Sequence, residues 1–362
     1  MGGGRFAAVC HSGEKQMHQG RRASGPTGAC TLAMLVIGVM LAGCQSRGPD
    51  LVLDPPQSGP DKRMVTQGIA QKVIVKNLTR CAHPAPKMNL RVAGVGEITA
   101  DDGTVITVPA ETALQKGQGP LSVDLYNECN RVVPKNAAAV STDKVPVVEI
   151  DADGDVVTGF IVGDNYFELY VNGKLVSVDN TPYTPFNSAI VKFRVKRPYT
   201  IAIMGVDWDE QLGLGVENMA RLKDPWYLGD GGLIAKFSDG TVTDSSWKLQ
   251  SFMTGPVDKA SDVVDKGHLR HFIKNGRTYP HIKKPACRDD CYMVHYEKPK
   301  NWRSKTFNDT HWPRAYEYTD EEIGVRNLPA YTRYPELFEG ARWIWSSNLV
   351  FDNVVIARKV VR

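Results

Sequence analysis

The sequence predicts an all-β fold, and three observations indicate that class. Short apolar or alternating segments recur along the chain after residue 63. Asp-Gly, Asn-Gly and proline turns separate these segments, as is typical of strands joined by tight turns. Almost nothing there has the three-to-four-residue apolar spacing of an amphipathic helix. We therefore expect a small N-terminal β domain at residues 64–146 and a larger β-sandwich at residues 147–362.

The composition is that of a folded protein with little excess charge. Of the 362 residues, 42% are hydrophobic and 23% are charged, and the formal net charge is +4. These values are ordinary for globular domains. No run of five or more lysines and arginines occurs, so the sequence offers no electrostatic footprint for nucleic acid. Composition alone does not name a reaction.

The N-terminal 43 residues predict a signal peptide. Arg21 and Arg22 precede an apolar run at residues 32–42. A run of that length is too short to cross the roughly 30 Å hydrocarbon core of a bilayer, and it fits the apolar region of a secretory signal. Met17 would serve as the start of translation as well as Met1.

The apolar run ends in Leu41-Ala42-Gly43-Cys44, which resembles the lipobox of bacterial lipoproteins. The resemblance implies a lipidated Cys44, with a membrane as partner through the lipid anchor. The alternative is an ordinary signal peptide followed by a chance cysteine. Gln45 resembles the residue found in lipoproteins sorted to the outer membrane, facing the periplasm or the cell exterior. Residues 44–63 are rich in proline, glycine and charge, which predicts a tether.

Four cysteines remain in the exported part, and an even number in such a chain indicates disulfides. Four cysteines allow three pairings. The short spacing favours a local Cys287–Cys291 bridge, which leaves Cys81 to pair with Cys129. The alternative is a metal site, because His295 follows these two cysteines and His268, His271 and His281 precede them. His268 and His271 would share one face if they lay on a helix.

Turn residues place the individual strands. In the N-terminal region the expected strands are 73–77, 90–93, 96–100 and 104–108, the last two joined by a turn at 101–103. Residues 136–146 are expected to join the two domains. In the second region the expected strands are 147–150, 156–162, 166–171, 174–178, 190–195, 199–206, 233–237, 241–242, 343–345 and 354–361. Asn172-Gly173 predicts a type I′ hairpin. Residues 257–300 read as a polar insertion.

Four segments of the second region occur in an order that resembles one family. They are Phe167–Lys174 (FELYVNGK), Phe237–Lys248 (FSDGTVTDSSWK), Trp302 with Phe307–Trp312 (FNDTHW), and Trp343–Trp345 (WIW) before a strand containing Arg358. The order is similar to that in the galactose-binding-like jelly-roll modules of bacterial α-L-rhamnosidases and β-galactosidase-type glycoside hydrolases. This resemblance covers residues 147–362 and implies a non-catalytic jelly-roll β-sandwich. The insertion at 257–300 departs from the family.

The recurring tryptophans are expected to be structural. Asp244 and Asp309 precede serine or threonine residues that close Asx-type turns. Trp247 and Trp312 would then pack beneath those loops, each burying about 150–250 Å².

Residues outside the recurring motifs are the candidates for ligand binding. Sugar rings stack on exposed aromatic side chains while polar neighbours bond the hydroxyl groups. The expected ligand is a carbohydrate or another cell-surface molecule, and the candidate binding residues are Tyr183, Phe186, Asp207, Trp208, Trp226, Tyr227 and Asp230.

Two other functions stay open. The first is a periplasmic metal-binding lipoprotein that uses the cluster at residues 268–295. The second is an undescribed hydrolase centred on residues 207–230, where Asp207, Asp209 and Glu210 form a tight acidic group. No serine-hydrolase elbow, zinc-protease motif or phosphate loop supports an enzyme. No cofactor is implied, although Asp151-Ala-Asp153-Gly-Asp155 resembles a calcium loop as well as a hairpin turn.

Overall fold

The prediction of an all-β fold is confirmed by a computed structural model. The structure describes residues 51–57, 59, 61–84, 88, 90–183, 186–218, 226–272, 287 and 289–362, all within one compact unit. These residues form many strands and only short helices. None of the helices within the described residues is long and apolar enough to span a bilayer. The predicted signal peptide at 1–43, with Cys44 and Gln45, lies outside the described residues.

The elements follow in chain order. The strands are β1 (Arg63–Gln67), β2 (Lys72–Val75), β3 (Val95–Thr99), β4 (Val105–Val108), β5 (Val123–Tyr126), β6 (Val147–Glu149), β7 (Asp155–Asp164), β8 (Tyr166–Val171), β9 (Lys174–Val178), β10 (Ser188–Val195), β11 (Tyr199–Val206), β12 (Val216–Asn218), β13 (Trp226–Leu228), β14 (Gly232–Phe237), β15 (Lys248–Val257), β16 (Val263–Lys266), β17 (Leu269–Phe272), β18 (Tyr292–Tyr296), β19 (Tyr316–Tyr318), β20 (Trp343–Trp345) and β21 (Asp352–Val361). The α-helices are α1 (Asp320–Ile323) and α2 (Pro329–Thr332), and 3₁₀ turns lie at Ala137–Ala139, Ala260–Asp262, Val325–Asn327 and Pro335–Phe338.

Two large sheets give the molecule a β-sandwich-like architecture. One has the strand order β1-β18-β15-β21-β11-β8-β9. The other has the order β19-β20-β14-β7-β10-β5, with β6 also paired to β10. Strand β11 is buried along its whole length, because the apolar side chains of the two sheets meet in a continuous core. Phe193 of the second sheet contacts Tyr199 of the first edge-on, with ring centroids 5.9 Å apart.

The hairpin between β8 and β9 shows how local sequence sets local structure. Asn172 and Gly173 have φ angles of 49° and 88°. A type I′ turn requires positive φ at both central positions, and asparagine and glycine tolerate it best. The predicted strands 166–171 and 174–178 are therefore confirmed to the residue.

Residues on both sides of the expected boundary at 146/147 share sheets. Strand β1 pairs with β18, and β5 pairs with β10. The last strand of the expected insertion, β18, lies in the first large sheet between β1 and β15. The rest of the described insertion includes the separate hairpin β16–β17.

Several expected strands differ from those observed. Residues 90–93 form no strand, and Val242 makes only an isolated bridge with Lys236. The ten-residue strand β15 was not expected. Its Gly255-Pro256 step coincides with a register shift in the pairing with β18, and the strand continues to Val257.

The structural role of the recurring tryptophans is confirmed by their burial. Trp247 is 0% exposed and Trp312 is 5% exposed. The backbone N–H of Ser246 donates to Asp244 in the expected Asx-type turn. In the second loop the turn is closed by Asn308, which accepts from Thr310 N–H. The carboxylate of Asp309 accepts instead from Arg358 Nε at 2.8 Å.

The favoured cysteine pairing is confirmed. Cys81 lies at disulfide distance from Cys129, and Cys287 from Cys291. The first bridge spans 48 residues. A loop of that size corresponds to roughly 4 kcal/mol in the chain-entropy model.

Candidate functional site

Four carboxyl groups converge where several strands end. Asp164 is the last residue of β7, and Asp207 directly follows β11. Glu217 lies in the middle of β12, and Asp230 lies between β13 and β14. We call these four residues the carboxylate cluster.

Gly229 shows how closely two members of the cluster approach each other. A Cβ atom added to Gly229 would lie 2.9 Å from Asp207 Oδ2 and 3.0 Å from Glu217 Oε1. These two carboxyl oxygens are therefore less than about 6 Å apart. Only glycine leaves room for both carboxyl groups at this point of the chain.

Two oxygens of the cluster have no hydrogen-bond donor among the described residues. They are Asp207 Oδ1 and Asp230 Oδ2. The side chain of Asp207 is 2% exposed, whereas Asp230 is only partly buried as a residue. A buried acceptor without a donor costs about 1–3 kcal/mol. The cluster therefore offers acceptors suited to a molecule with hydrogen-bond donors.

Burial raises the pKa of three members well above the ordinary range. Burial is the main cause for Asp164, Asp207 and Asp230, and the negative charges of neighbouring members raise their pKa values further. Like charges this close in a poorly solvated site do not all ionise together. The cluster is thus able to hold protons above the pH at which ordinary carboxyl groups lose them.

Arg91 supplies the positive charge beside the cluster. Its Nη1 donates to Glu217 Oε2 at 2.6 Å and to Tyr183 Oη at 2.7 Å. Its Nη2 donates to Tyr227 Oη at 2.5 Å. The guanidinium also lies over both tyrosine rings, 5.1 Å and 5.5 Å from their centroids. This Arg91 clamp ties the N-terminal region to the loops that carry the cluster.

Most of the predicted aromatic binding residues are buried, so the expectation that they present rings to solvent is wrong for them. Tyr183 is 0% exposed, Trp208 is 1% exposed and Tyr227 is 9% exposed. Trp208 packs edge-on against Tyr166, and its Nε1 donates to Gly94 O at 3.0 Å. Loop position in the sequence did not reveal that the N-terminal region covers these rings.

Trp226 and Phe186 are the two predicted rings that keep partial exposure. In the β12–β13 hairpin, Trp226 lies opposite Asn218, and Tyr227 lies opposite Glu217. Neighbouring residues of a strand point to opposite faces. Trp226 is therefore on the face of the hairpin away from Glu217, and the structure does not bring its ring to the cluster.

The tight acidic group at 207–210 separates into different roles. Asp209 Oδ2 accepts from the N–H groups of Gly213 and Leu214, which closes the loop before β12. Burial raises the pKa of Asp209 to about 6. Glu210 accepts from Tyr183 Oη at 3.1 Å. Of this group, only Asp207 joins the carboxylate cluster.

The expected histidine cluster is not assembled by the described residues. His268 and His271 lie on the β16–β17 hairpin, so the expected helical face is wrong. His268 stacks on His311, with ring centroids 4.9 Å apart. His295 is buried, and its Nε2 is 2.9 Å from Thr66 Oγ1. Its pKa is lowered to about 3 by burial. His281 lies outside the described residues.

No group of three or more His, Cys, Asp or Glu side chains in the described part of the chain is arranged to hold a metal ion. The calcium-like segment at 151–155 forms the turn before β7. There the Asp151 carboxylate accepts from Lys196 N–H at 3.0 Å, and Asp153 is ion-paired with Lys196. The segment therefore forms a turn, but not the expected hairpin turn, because β6 and β7 both pair with β10 and not with each other.

Three residues of the site escaped sequence reasoning, namely Arg91, Asp164 and Glu217. Arg91 and Asp164 are far along the chain from Asp207, whereas Glu217 lies ten residues from it, and none of the three belongs to a recognisable motif. Cavities of about 280, 300 and 390 Å³ elsewhere in the described residues are not lined by the predicted ligand-binding residues.

No protein-family model matches the chain, and neither a curated protein nor a solved structure matches it. What the site does has to be argued from its geometry.

Proposed function

We propose that the protein is an exported, lipid-anchored protein of the cell envelope that binds carbohydrate or another hydroxyl-rich surface ligand without chemical turnover. The lipobox-like segment ending at Cys44 supports the anchor. The order of the four recurring motifs and the two packed sheets support a galactose-binding-like jelly roll.

The observation that carries the binding proposal is the unpartnered acceptor at Asp207. Its Oδ1 is buried without a donor among the described residues, close to the carboxyl group of Glu217. Sugar hydroxyl groups donate hydrogen bonds to such acceptors, and a typical hydrogen bond contributes a net of about 0.5–1.5 kcal/mol. A ligand that reaches Asp207 would satisfy the acceptor that the fold leaves open.

The test compares two aspartates in the same loop. Asp207→Ala removes an acceptor that has no donor, so the stability of the fold should change little while sugar affinity falls about tenfold or more. Asp209→Ala removes an acceptor of two backbone N–H groups, so it should lower the free energy of unfolding by about 1–3 kcal/mol. Glycan-array screening followed by calorimetry measures affinity, and urea denaturation measures stability.

For a shallow site the wild-type Kd is expected at about 0.1–1 mM. Unchanged affinity in Asp207→Ala, together with a stability loss as large as that of Asp209→Ala, would contradict this assignment. Trp226→Ala tests whether the partly exposed ring on the other face of the hairpin adds a second contact.

The same geometry favours one second candidate, the hydrolysis of glycosides. Asp207 has a raised pKa, and Glu217 is ion-paired with Arg91. The nearest carboxyl oxygens of Asp207 and Glu217 are less than about 6 Å apart. Retaining glycosidases place their two carboxyl groups about 5–5.5 Å apart. Release of reducing sugar from a bound oligosaccharide, abolished in both Asp207→Ala and Glu217→Gln, would replace the binding function with this one.

A further inference from the structure

Part of the predicted tether is bonded to the body of the protein. We call the described residues of 51–62 the strap. The backbone N–H of Asp54 donates to Thr306 O at 2.7 Å. The Asp54 carboxylate accepts from Thr306 Oγ1 and Asn301 Nδ2, both at 3.1 Å, and Asn308 Nδ2 donates to Asp54 O at 3.0 Å.

A second contact fixes the other end of the strap. Asp61 is ion-paired with Arg270, and both side chains are only 6% exposed. The guanidinium of Arg270 lies between two rings, 3.7 Å from the centroid of Tyr296 and 4.6 Å from that of Phe252. A cation packed against aromatic faces in a desolvated place is attracted by the rings in addition to its ion pair. The strap is therefore held at both ends and does not behave as a free linker.

The strap is bonded to a loop with a strong positive charge. Residues 298–305 (KPKNWRSK) contain four basic residues and no acidic one, and we call them the basic loop. Lys300 and Lys305 are exposed, and no carboxylate of the described residues forms an ion pair with either. Among the acidic side chains near the loop, Asp54 accepts from Asn301 and Asp309 accepts from Arg358, whereas Glu111 is ion-paired with Lys116 and Glu297 directly precedes the loop.

The basic loop and the carboxylate cluster lie at opposite ends of β11. The loop is next to the start of the strand, where Thr200 Oγ1 donates to Lys305 O at 3.5 Å. Asp207 directly follows the end of the strand. Six residues of extended chain separate Thr200 from Val206, which corresponds to about 20 Å.

The length of chain between the predicted lipid and the strap limits how far the loop lies from the anchor. Seven residues lead from Cys44 to Leu51, and seven extended residues span at most about 25 Å. Three more residues lead to Asp54, which is bonded to the loop region. The ten residues from Cys44 to Asp54 span at most about 36 Å. A lipid on Cys44 therefore holds the basic loop within that distance of the bilayer, where anionic headgroups attract lysine side chains.

We propose that the basic loop is the membrane-facing surface of the protein and rests on anionic lipid headgroups, so that the carboxylate cluster faces away from the bilayer. The proposal rests on the proposed lipidation of Cys44, and it adds an orientation and a second membrane contact. Anionic phospholipid is the partner to which the positive charge and the short connection both point.

The experiment uses full-length lipidated protein reconstituted into vesicles of phosphatidylcholine with and without phosphatidylglycerol. A fluorophore is attached through Thr310→Cys, near the basic loop, or through Ile69→Cys, an exposed position near the other end of the molecule. A quencher carried on lipid headgroups should quench the probe at 310 more strongly than the probe at 69. Phosphatidylglycerol should increase that difference, and high salt should reduce it.

Charge reversal provides the matched comparison. The double variant Lys300→Glu with Lys305→Glu should lower the ratio of molecules with the basic loop against the bilayer to molecules with the loop turned away by roughly 30-fold. It should also remove the effect of phosphatidylglycerol on the quenching difference. Lys76→Glu with Arg80→Glu changes the net charge equally at two exposed positions outside the loop, and it should leave the difference between the probes unchanged.

Four results would overturn the proposal. Equal quenching at 310 and 69 would exclude a fixed orientation. Quenching at 310 that does not respond to phosphatidylglycerol or to the lysine reversal would exclude the headgroup contact. A mass spectrum with unmodified Cys44 would refute the lipid anchor and this proposal with it, whereas the first two results leave the anchor and the ligand site intact. Binding of the loop to soluble anionic glycan, with no preference for anionic vesicles, would assign it a different partner.

Discussion

Replacing Arg91 with methionine tests whether the Arg91 clamp stabilises the candidate site. The variant removes three hydrogen bonds, including the 2.6 Å bond to Glu217. The side chains of Arg91 and Glu217 are only 8% and 11% exposed, so solvent screens their interaction little. Removal of one partner of a buried ion pair costs about 3–5 kcal/mol, because the other charge stays buried without compensation.

A double-mutant cycle isolates the interaction from the loss of packing. Glu217→Gln removes the charge that Arg91→Met leaves uncompensated, so the double variant should be more stable than the sum of the single effects implies. Urea denaturation of the four proteins gives the coupling free energy, expected at about 1–3 kcal/mol. The comparison pair is Lys72 with Glu97, whose side chains are 67% and 33% exposed.

That exposed pair should couple by no more than about 1 kcal/mol. Strictly additive effects at Arg91 and Glu217, or a loss below about 1 kcal/mol for Arg91→Met, would show that the clamp does not hold the loops of the cluster in place.

The remaining predictions concern burial, ionisation and thiol state. Burial raises the pKa of Asp179 to about 7. The folded state therefore binds this proton more tightly than the unfolded state, and its stabilising effect is complete below about pH 4 and lost as the pH rises to about 7. In Asp179→Asn the free energy of unfolding should change less with pH than in the wild type, by up to about 4 kcal/mol, when urea titrations are run at several pH values. Parallel pH profiles of the free energy of unfolding for the two proteins would contradict this prediction. Trp208→Ala should lower the free energy of unfolding by about 3–5 kcal/mol, as Trp247→Ala should, because both rings are buried. A Trp208→Ala protein with an unchanged free energy of unfolding would refute the role of Trp208 in the core. Thiol labelling without reductant should find no free thiol among the four bridging cysteines, which are Cys81, Cys129, Cys287 and Cys291. Labelling at any of the four would contradict the pairing.

Local signals in the sequence were sufficient to predict the β3–β4 and β8–β9 hairpins. The Asn172-Gly173 turn fixed the ends of β8 and β9, because its backbone angles depend on the two turn residues themselves. Strand β11, a continuous run of buried residues, was also predicted with its observed limits. Strands that depend on distant partners were missed, and β1 is the clearest case, since its partner β18 lies in the expected insertion.

The candidate site was predicted only in part, because local sequence signals reveal some of its residues and not those that come from distant parts of the chain. Asp207 and Asp230 were singled out because they lie near aromatic residues in the sequence. The residues that define their surroundings, Arg91 and Asp164, come from other parts of the chain. The solvent exposure of the candidate aromatic side chains was the weakest inference. Only the fold reveals that the indole of Trp208 is bonded to the backbone at Gly94. Spacing along a chain cannot report which segment will cover a loop.

The pairing of β1 with β18 has a consequence for how the chain folds during synthesis and during the proposed export. The side chains of Thr66 and His295, which meet between these strands, are separated by 229 residues. A chain that emerges N-terminus first exposes β1 long before its partner exists, and the sheet cannot be completed until most of the polypeptide has emerged. Contacts between residues so distant in sequence slow folding. Late completion of this sheet would keep the polypeptide unfolded for longer, the state in which a chain threads through a narrow export channel.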